Sequence, residues 1–397
     1  MIMRLWSRGV TAATLAGLLV GATLATGGPA SAAGAAGGSA TGSVGIMGAG
    51  TNDFTGDGRA DLTALYDYGN ASSGLFVLPG TQKIEDAATQ PYRVWFAGPG
   101  NFGANVTKLA AGDFTGDGLS DVLALYDYGG GEAGLFVFPG TAGRGDGATD
   151  AYRVWWVPRG NFWPSAMKIT AGDVTGDGKA DLLAFYDYGN ADTGLFVFPG
   201  TSAVGDGATD PYLAWQSGRG NFNMNAAKIA AGDFTGDGRA DLLALYDYGN
   251  GAAGLWVYPG TSGAMNPYRV WYVPANNFNV GSVRTVDTDD INGDGVVDFL
   301  AVTDNAVFRF GGTAQAGDGA TQAGVYAQLP TQFGQAKVVV GDYDANGFAD
   351  LIFLLDHGGG SASAWVLSGA VPPQNQILYR VWYTGPGNFW PSAVKVA

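Results

Sequence analysis

The sequence contains no cysteine, one histidine and few charged residues for its length of 397. Without cysteine the fold has no disulfides, no thiol nucleophile and no cysteine metal ligand. Glutamate occurs only at Glu85 and Glu132, whereas aspartate occurs 33 times. Glutamate favours helices and aspartate favours turns and hard-cation loops, so this composition argues against a helical protein. The net charge of −15 would repel the phosphate backbone of a nucleic acid, so we expect no nucleic-acid partner.

Residues 1–32 have the pattern of a secretory signal peptide. Arg4 and Arg8 precede an apolar stretch at 10–26, and residues 30–32 (ASA) are the small residues that signal peptidases cut after. A membrane anchor is the alternative, but the stretch is short and is diluted by Gly and Thr. We therefore expect a secreted, extracellular protein with no membrane span after signal removal. Residues 33–47 would form a flexible linker and residues 48–397 a single domain.

Internal repetition is the strongest signal in the chain. The segment DFTGDGRAD at 53–61 recurs in related form from Asp113, Asp173, Asp233, Asp290 and Asp342, at spacings of 60, 60, 60, 57 and 52 residues. Each copy is followed by short runs rich in Val, Phe, Tyr and Trp between Gly, Pro and Asn, which is typical of strands and turns. Together with the run that enters the loop, these make four strands per repeat.

Six repeats of four antiparallel strands predict an all-β fold, a six-bladed β-propeller of four-stranded blades. The strands lack strict polar and apolar alternation, which indicates that each blade is covered on both faces by its neighbours. A linear β-solenoid is the alternative, but its repeats are usually much shorter than the spacing found in this chain.

The two ends of the chain indicate how the ring closes. Residues 387–397 match residues 160–170 and stop where the next copy would continue into its loop, while the first copy has a loop without that lead-in. We therefore expect Val394 to Ala397 to form the first strand of the first blade, which leaves no open sheet edge. The alternative is that Val44 to Gly48 fills that place.

Each repeated loop concentrates acidic residues. Positions 1, 5 and 9 are Asp in five copies, and the sixth copy has Asn at position 5 and a further Asp at position 3. Three carboxylates so close in the chain repel one another unless a cation lies between them, and Ca²⁺ accepts six to eight oxygen ligands. The pattern predicts a calcium-binding β-hairpin loop and not an EF-hand, because position 12 lacks Glu and strands flank the loop. The alternative is that Asp and Gly only build turns.

The motif DFTGDGRADL, in repeats of about 60 residues, resembles the FG-GAP/VCBS repeat family over residues 48–397. The family includes integrin α-chain propellers, secreted bacterial proteins and propeller lectins, and the weak Phe-Gly and Gly-Ala-Pro elements here favour the bacterial branch. The resemblance implies calcium ligands at positions 1, 3, 5 and 9. These positions are Asp53, Thr55, Asp57, Asp61, Asp113, Thr115, Asp117, Asp121, Asp173, Thr175, Asp177, Asp181, Asp233, Thr235, Asp237, Asp241, Asp290, Asn292, Asp294, Asp298, Asp342, Asp344, Asn346 and Asp350.

Several recurring side chains outside the loops are further candidates. One Asp recurs in every copy shortly after the loop, beginning with Asp67, and a turn carboxylate is the favoured interpretation of it. Trp155, Trp271 and Trp382 belong to a recurring set with Trp95 and Trp215, which packs between blades or stacks on sugar rings. Trp163 and Trp390 lie in loops and are better placed for exposure. The Arg144-Gly145-Asp146 tripeptide matches a Val-Gly-Asp in the next copy, so we interpret it as coincidence.

Repetition also bears on function, because catalysis needs residues that break the repeat. His357 stands where other copies have Tyr, and the chain has no Gly-x-Ser-x-Gly elbow, so we predict no catalytic residues. The favoured function is a calcium-binding, non-catalytic module for glycans or surface polymers. A cell-envelope scaffold or protein-binding module is the first alternative. A secreted hydrolase or lyase acting on polysaccharides is the second.

Overall fold

The computed structural model describes residues 52–83, 85–369 and 376–397. The predicted signal peptide, the linker and the alternative closing segment Val44 to Gly48 lie outside the described residues, so the predicted boundaries at 32 and 47 stay predictions.

Twenty-four strands and short 3₁₀ turns make up the described chain. The strands are β1 (Leu62–Gly69), β2 (Ser72–Leu78), β3 (Tyr92–Ala97), β4 (Thr107–Gly112), β5 (Asp121–Gly129), β6 (Glu132–Phe138), β7 (Tyr152–Val157), β8 (Met167–Gly172), β9 (Asp181–Gly189), β10 (Asp192–Phe198), β11 (Tyr212–Gln216), β12 (Ala227–Gly232), β13 (Asp241–Gly249), β14 (Ala252–Tyr258), β15 (Tyr268–Val273), β16 (Val283–Asp289), β17 (Asp298–Thr303), β18 (Ala306–Phe310), β19 (Ala323–Gln328), β20 (Lys337–Gly341), β21 (Asp350–Gly358), β22 (Ser361–Leu367), β23 (Leu378–Thr384) and β24 (Val394–Val396). The 3₁₀ turns are Ala104–Val106, Pro164–Ala166, Met224–Ala226, Val280–Ser282, Thr331–Gln335 and Pro391–Ala393.

The strands form six antiparallel sheets of four, in the orders β24-β1-β2-β3, β4 to β7, β8 to β11, β12 to β15, β16 to β19 and β20 to β23. We number these sheets blades 1 to 6. Short strands with tight hairpins follow from the runs of β-branched and aromatic residues between glycines. The six-bladed propeller predicted from the repeats is confirmed.

The ring closes through the C-terminal strand. Val396 pairs with Ala64 and Val394 with Tyr66 in an antiparallel ladder between β24 and β1. The Thr63 hydroxyl donates to the Ala397 carbonyl at 2.7 Å and extends the closure beyond the strand. The prediction that Val394 to Ala397 completes the first blade is confirmed. Both ends of the propeller therefore share one sheet, which hides the edge that an open ring would expose.

The core lies between the blades, where aromatic rings of one blade meet those of the next. Trp155 packs edge-on against Phe198 at 5.0 Å between ring centroids, and Trp271 packs in the same way against Phe310 at 4.9 Å. Such edge-to-face pairs contribute about 1 kcal/mol beyond area burial. Trp155, Trp271 and Trp382 are only 9%, 4% and 6% exposed. Of the two roles considered for them, the structure supports packing between blades, because their rings present little surface to a sugar.

Ion pairs between Arg and Asp side chains join neighbouring blades on the outside of the ring. In four blades an Arg of the outermost strand makes a bidentate pair with an Asp in the next blade, 2.5 to 2.7 Å between nitrogen and oxygen: Arg93 with Asp146, Arg153 with Asp206, Arg269 with Asp318 and Arg380 with Asp86. In β11 and β19 the matching residues are Leu213 and Val325, which are exposed. Asp146 of the Arg-Gly-Asp tripeptide thus belongs to a repeated ion pair between blades.

Closure by β24 makes the stability of the whole ring sensitive to one strand. Val396 is 1% exposed, so Val396→Asp buries an unpaired charge, and we expect a loss of at least about 3 kcal/mol in the free energy of unfolding. Denaturant titration measures this loss. Val204→Asp is the matched control, because Val204 is 69% exposed and its change should cost less than about 0.5 kcal/mol. Equal stability of the two variants would contradict closure through β24.

Candidate functional site

The repeated loops lie where the innermost strand of each blade passes to the second strand. In the first loop the Asp53 carboxylate accepts the backbone N–H groups of Gly56, Asp57 and Gly58 at 2.6 to 3.1 Å. Gly56 and Gly58 have φ values of +76° and +82°, which glycine adopts without strain. The backbone of the loop therefore wraps around the carboxylate of the position 1 aspartate, as it does in a hydrogen-bonded turn.

The position 9 aspartate pins each loop to its blade. Asp61 accepts the backbone N–H of Thr55 with one oxygen and that of Gly80, which follows β2, with the other, at 2.8 and 2.9 Å. Equivalent pairs of bonds recur in loops 2, 3, 4 and 6. These carboxylates are almost fully buried. Each therefore links two strand ends inside its blade.

Burial destabilises the charged form of these position 9 carboxylates. It raises the pKa of Asp61 and Asp121 to about 7, against the opposing effect of the backbone hydrogen bonds. It raises the pKa of Asp181 and Asp241 to about 6, and that of Asp350 to about 8. Among the described residues, none of these five carboxylates pairs with Arg or Lys. A buried anion without a counter-charge is a position that a cation would stabilise.

The position 3 threonines supply a second sign of an incomplete shell. The Oγ1 atoms of Thr55, Thr115, Thr175 and Thr235 are buried and have no hydrogen-bond partner within the described part of the chain. The hydroxyls of Thr55, Thr175 and Thr235 lie near enough to the position 9 carboxylate to oppose the rise of its pKa, but not in hydrogen-bonding geometry. Buried hydroxyls are normally paired, so the donor set fits an oxygen-coordinated cation.

The sixth loop brings its acids closest together. Carboxylate oxygens of Asp342, Asp344 and Asp350 lie within 4.8 Å of one another, and no other three acidic groups in the described residues do so. In the other loops the position 5 carboxylate turns toward the backbone N–H of position 7, as Asp57 does toward Arg59 at 3.1 Å. The predicted spacing therefore brings three carboxylates within joint ligand distance only where position 3 is also acidic.

The fifth loop already contains a positive group. Arg309 Nε lies 2.6 Å from Asp298 Oδ2, and its Nη2 lies 3.6 Å from Asp294 Oδ2. The Asn292 amide also donates to both carboxylates, at 2.9 and 3.0 Å. The guanidinium offsets one of the three carboxylate charges and, with the Asn292 amide, occupies Asp298 Oδ2, so these residues fit calcium less well than those of the other loops. The ligand role of Asp290, Asn292, Asp294 and Asp298 stays a prediction.

The residue that makes the fifth loop different, Arg309, can be found in the sequence, although it lies outside the loop motif. By the strand register, Arg309 in β18 stands where other blades carry Val in the third strand: Val77, Val137, Val197, Val257 and Val366. The motif ends at Asp298, well before Arg309. Only the pairing of β17 with β18 brings the guanidinium to the loop.

The six loops are also joined to one another. The backbone N–H of position 8 in each loop donates to the carbonyl of position 1 in the loop of the preceding blade, at 2.7 to 3.3 Å. The pair that closes this circle runs from Ala60 to Asp342 at 2.9 Å. Order in one loop is therefore transmitted directly to the next.

Replacing Arg309 by Val, the residue of the other blades, tests its role as a built-in cation. We expect Arg309→Val to lower the unfolding free energy of chelator-treated protein by about 2 kcal/mol, because Asp298 is left buried and unpaired while the guanidinium was partly solvated. Denaturant titration gives the value. Arg59→Val is the control, since within the described residues the one ion pair of Arg59 is with the exposed Asp57 and its loss should cost under about 1 kcal/mol. Equal losses would contradict the assignment.

Exposed aromatic side chains form the second candidate surface, at the end of the blades opposite the Asp loops. Trp163 is 40% exposed and its indole lies on the hairpin between β5 and β6, where a Cβ on Gly131 would come within 2.6 Å of the ring. Trp390 lies on Gly360 of blade 6 in the same way, also at 2.6 Å. Glycine at these two turns is therefore required for the indoles to lie flat on them.

Blade 2 adds a second indole and two charged groups beside Trp163. Trp156 is also 40% exposed, and its Nε1 donates to Glu132 Oε1 at 3.2 Å. Arg159 Nε lies 3.4 Å from the other oxygen of Glu132. We call Glu132, Trp156, Arg159 and Trp163 the blade 2 cluster. Blade 6 has a partial counterpart in the exposed Tyr383 and the half-buried Trp390, with Ser361 in place of the glutamate.

The remaining candidates have structural roles. Asp67 and its equivalents in blades 2, 3, 4 and 6 accept the N–H two residues on, as the turn interpretation predicted. His357 Nε2 lies 2.8 Å from Ser363 Oγ, inside its own blade. An apolar cavity between blades 6 and 1 has about 20 Å³, room for about one water molecule, and its lining includes Phe76 and Trp382.

Asp287 in β16 breaks the repeat at a buried position. Burial raises its pKa well above the ordinary range, opposed by the N–H groups of Thr288 and Val340 and reinforced by Asp289. Other blades carry Ala110, Thr170 or Ala230 there. A folded-state pKa above the unfolded value means that stability falls as pH rises from about 4 toward that pKa.

We therefore expect Asp287→Thr, which copies Thr170, to raise the melting temperature at pH 8 and to have a smaller effect at pH 5. A gain of 1 kcal/mol corresponds to about 2 °C in a protein of this size. Thermal unfolding at both pH values measures the difference. Asp210→Thr changes an exposed carboxylate and serves as control. A gain that does not depend on pH would rule out the buried charge as the cause.

The comparisons with known proteins agree with this architecture. Residues 113–184 match the family model described as FG-GAP-like repeat. A search of curated proteins found no match. Similar solved structures include an Agrocybe aegerita lectin described as recognising non-reducing terminal N-acetylglucosamine (16% identity, TM-score 0.53, 86% of this chain and 95% of that one). Others are the fucose-specific lectin of Aleuria aurantia (12%, 0.39, 83% and 98%) and AofleA of Arthrobotrys oligospora (10%, 0.40, 89% and 95%).

Fold and loops together define a β-propeller built from repeated aspartate loops. The matched repeat and the six blades support placing the chain in the FG-GAP/VCBS propeller family, as the motif resemblance indicated. The likeness to the lectins extends to the fold alone. In the described ranges, no helix has both the length and the apolar character needed to cross a bilayer.

Proposed function

We propose that the protein is a secreted, calcium-stabilised propeller that binds glycans and has no catalytic role of its own. The observation that carries the glycan proposal is the blade 2 cluster: the exposed Trp156 indole and Arg159 both contact Glu132, and the equally exposed Trp163 lies at the adjacent Gly131 turn. Signal-peptide-like residues at the N-terminus support export, and they lie outside the described residues.

The chemistry of the blade 2 cluster suits a sugar. The apolar C–H face of a pyranose stacks on an indole, while adjacent hydroxyls need donors and acceptors that are already oriented. Trp156 and Trp163 offer the ring faces. Glu132 supplies acceptor oxygens and Arg159 supplies donors in a planar fork. Arg159 is largely solvent-exposed, so it can leave Glu132 for a hydroxyl at little cost.

The ring arrangement favours a polymer over a single sugar. Tyr383 and Trp390 of blade 6 form a second, simpler aromatic surface at the same end of the ring. Two weak sites on one rigid body raise the overall affinity for a repeating ligand without any new contact. The Agrocybe lectin of the same fold is described as recognising N-acetylglucosamine, which makes glycans the first ligand class to test.

A glycan array probed with calcium-loaded protein tests the proposal, followed by calorimetry on the best ligand. We expect Trp163→Ala and Trp156→Ala each to weaken binding by about tenfold or more, because each removes a stacking contact of about 1 to 2 kcal/mol. Leu213→Ala is the matched control: Leu213 is similarly exposed but lies on blade 3, away from the cluster. An array without ligands, or equal loss in all three variants, would contradict the proposal.

Calcium is assigned to loops 1 to 4 and 6. There the buried position 9 carboxylates, the unpaired threonine hydroxyls and the Asp342, Asp344 and Asp350 group form oxygen-only donor sets. The positive charge would neutralise these carboxylates, and the bonds between loops would spread the effect around the ring.

Chelation tests this assignment. We expect a chelator to lower the melting temperature and added calcium to restore it, since a ligand that binds only the folded state stabilises it by mass action. Calorimetry should count five calcium ions and not six, because Arg309 occupies the fifth loop. Magnesium at the same concentration is the control, as it fits flexible multi-oxygen loops poorly. Purified protein without calcium and without a thermal response would refute the assignment.

A further inference from the structure

A positively charged residue stands at the start of all six innermost strands; the five lysines share one register position, and in blade 5 the residue is Arg284, which lies in a bulge beside that position. Five of the six occupy the second position of their strand and one occupies the first, where the chain has just left the preceding 3₁₀ turn. The six, which we call the cation ring, are Lys395 of β24, Lys108 of β4, Lys168 of β8, Lys228 of β12, Arg284 of β16 and, at the first position of its strand, Lys337 of β20. The Asp loops follow the other ends of these strands. The cation ring therefore lies on the end of the propeller that also carries Trp163.

The side chains of the cation ring reach around the circle toward the next blade. Lys168 Nζ donates to the Met224 carbonyl at 2.7 Å and to that of Ala227, the first residue of β12. Lys337 and Lys395 likewise donate to the first residues of the following innermost strands, Val394 and Thr107. The ammonium groups are thus held at the mouth of the circle that the six innermost strands enclose.

Two members of the cation ring have unused donors. Within the described residues, Lys108 and Lys228 donate no hydrogen bond, and they stand on either side of Lys168. Arg284 differs, because it makes a close ion pair with Asp304 at 2.5 Å. The positive charge without an ion-pair partner is therefore concentrated at Lys108, Lys168 and Lys228, on the innermost strands of blades 2, 3 and 4.

The electrostatics agree with this geometry. Burial lowers the pKa of Lys168 to about 8, and repulsion from Lys228 and Lys108 adds to the effect. Burial also lowers the pKa of Lys395 to about 8, with Lys108 and Lys337 adding to the effect and Asp67 opposing it. Like charges held together at a partly buried site are relieved by an anion between them.

Acidic groups offset the positive charge of the cation ring only in part. Asp127 faces Lys108 and Asp356 faces Lys337, and both raise the pKa of their lysine. Each of these aspartates is engaged by the N–H of its own hairpin, at 2.8 Å. For Lys108 and Lys337 burial remains the largest influence on the pKa. Lys228 is influenced by burial and by Arg284, both of which lower its pKa.

We propose that Lys108, Lys168 and Lys228 form a binding site for a multivalent oxyanion, a sulfate or phosphate group, at the mouth of the central channel. An oxyanion has several acceptor oxygens, and charge-assisted hydrogen bonds from ammonium groups are about twice as strong as neutral ones. The free donors of Lys108 and Lys228 would bind two of these oxygens, with Lys168 between them. This site stands on the fold alone and does not depend on the glycan site.

Calorimetric titration with inorganic sulfate tests the site, with sodium chloride at equal ionic strength as reference. We expect saturable binding at pH 7, at least tenfold weaker binding in Lys108→Met/Lys228→Met, and unchanged binding in Lys83→Met, which alters an exposed lysine on the opposite end. Binding should also weaken at pH 9, where Lys168 loses its charge. Absence of saturable binding, or equal binding in the double variant, would overturn the proposal.

Two further arms keep the test decisive. If the double variant fails to fold, Lys108→Arg/Lys228→Arg takes its place; this variant keeps both charges and should retain sulfate binding. In that case, sulfate binding by the wild type that does not weaken between pH 7 and pH 9 would contradict the site. A sulfated oligosaccharide compared with its desulfated parent distinguishes the source of the anion. Tighter binding than free sulfate indicates a group on a polymer, equal binding indicates the free ion, and binding of neither sulfate form overturns the proposal.

Discussion

The contact between blades is the constraint on which the rest of this structure depends. Every blade is apolar on both faces, so no blade is stable until both neighbours cover it. A linear stack would leave two uncovered faces, whereas a closed ring leaves none. The short strand β24 completes that ring by pairing with β1, although the two strands lie at opposite ends of the described chain.

In a closed ring of similar blades, equivalent residues of the repeats lie at similar heights along the ring axis. Residues that repeat in the sequence therefore form circles around that axis. The Asp loops form one circle, linked by backbone hydrogen bonds. The cation ring forms another at the opposite strand ends. Departures from the repeat are correspondingly informative: Arg309 places a positive charge in one loop, and Glu132 accepts a hydrogen bond from an exposed indole where blade 6 has only Ser361.

The sequence predicted the number of blades, the four strands in each and the closing strand, because these follow from spacing and composition that repeat several times. It predicted exposure for the loop residue Trp163, but it left Trp155 open between packing and sugar stacking and did not single out Trp156. Trp155 and Trp163 lie close together in the chain, yet one packs against Phe198 and the other lies open on Gly131. Burial depends on the facing blade, and a residue's own neighbours in the chain carry little information about that blade.

The sequence by itself determined the positions of the loops and their oxygen donors, since turn chemistry and carboxylate spacing are local properties. The tertiary structure decided which donors share a centre and which loop already holds a cation. Those outcomes depend on strand pairing, because β18 carries Arg309 into a loop whose motif ended one strand earlier. They depend also on ring closure, which alone brings six distant lysine and arginine side chains to one channel mouth.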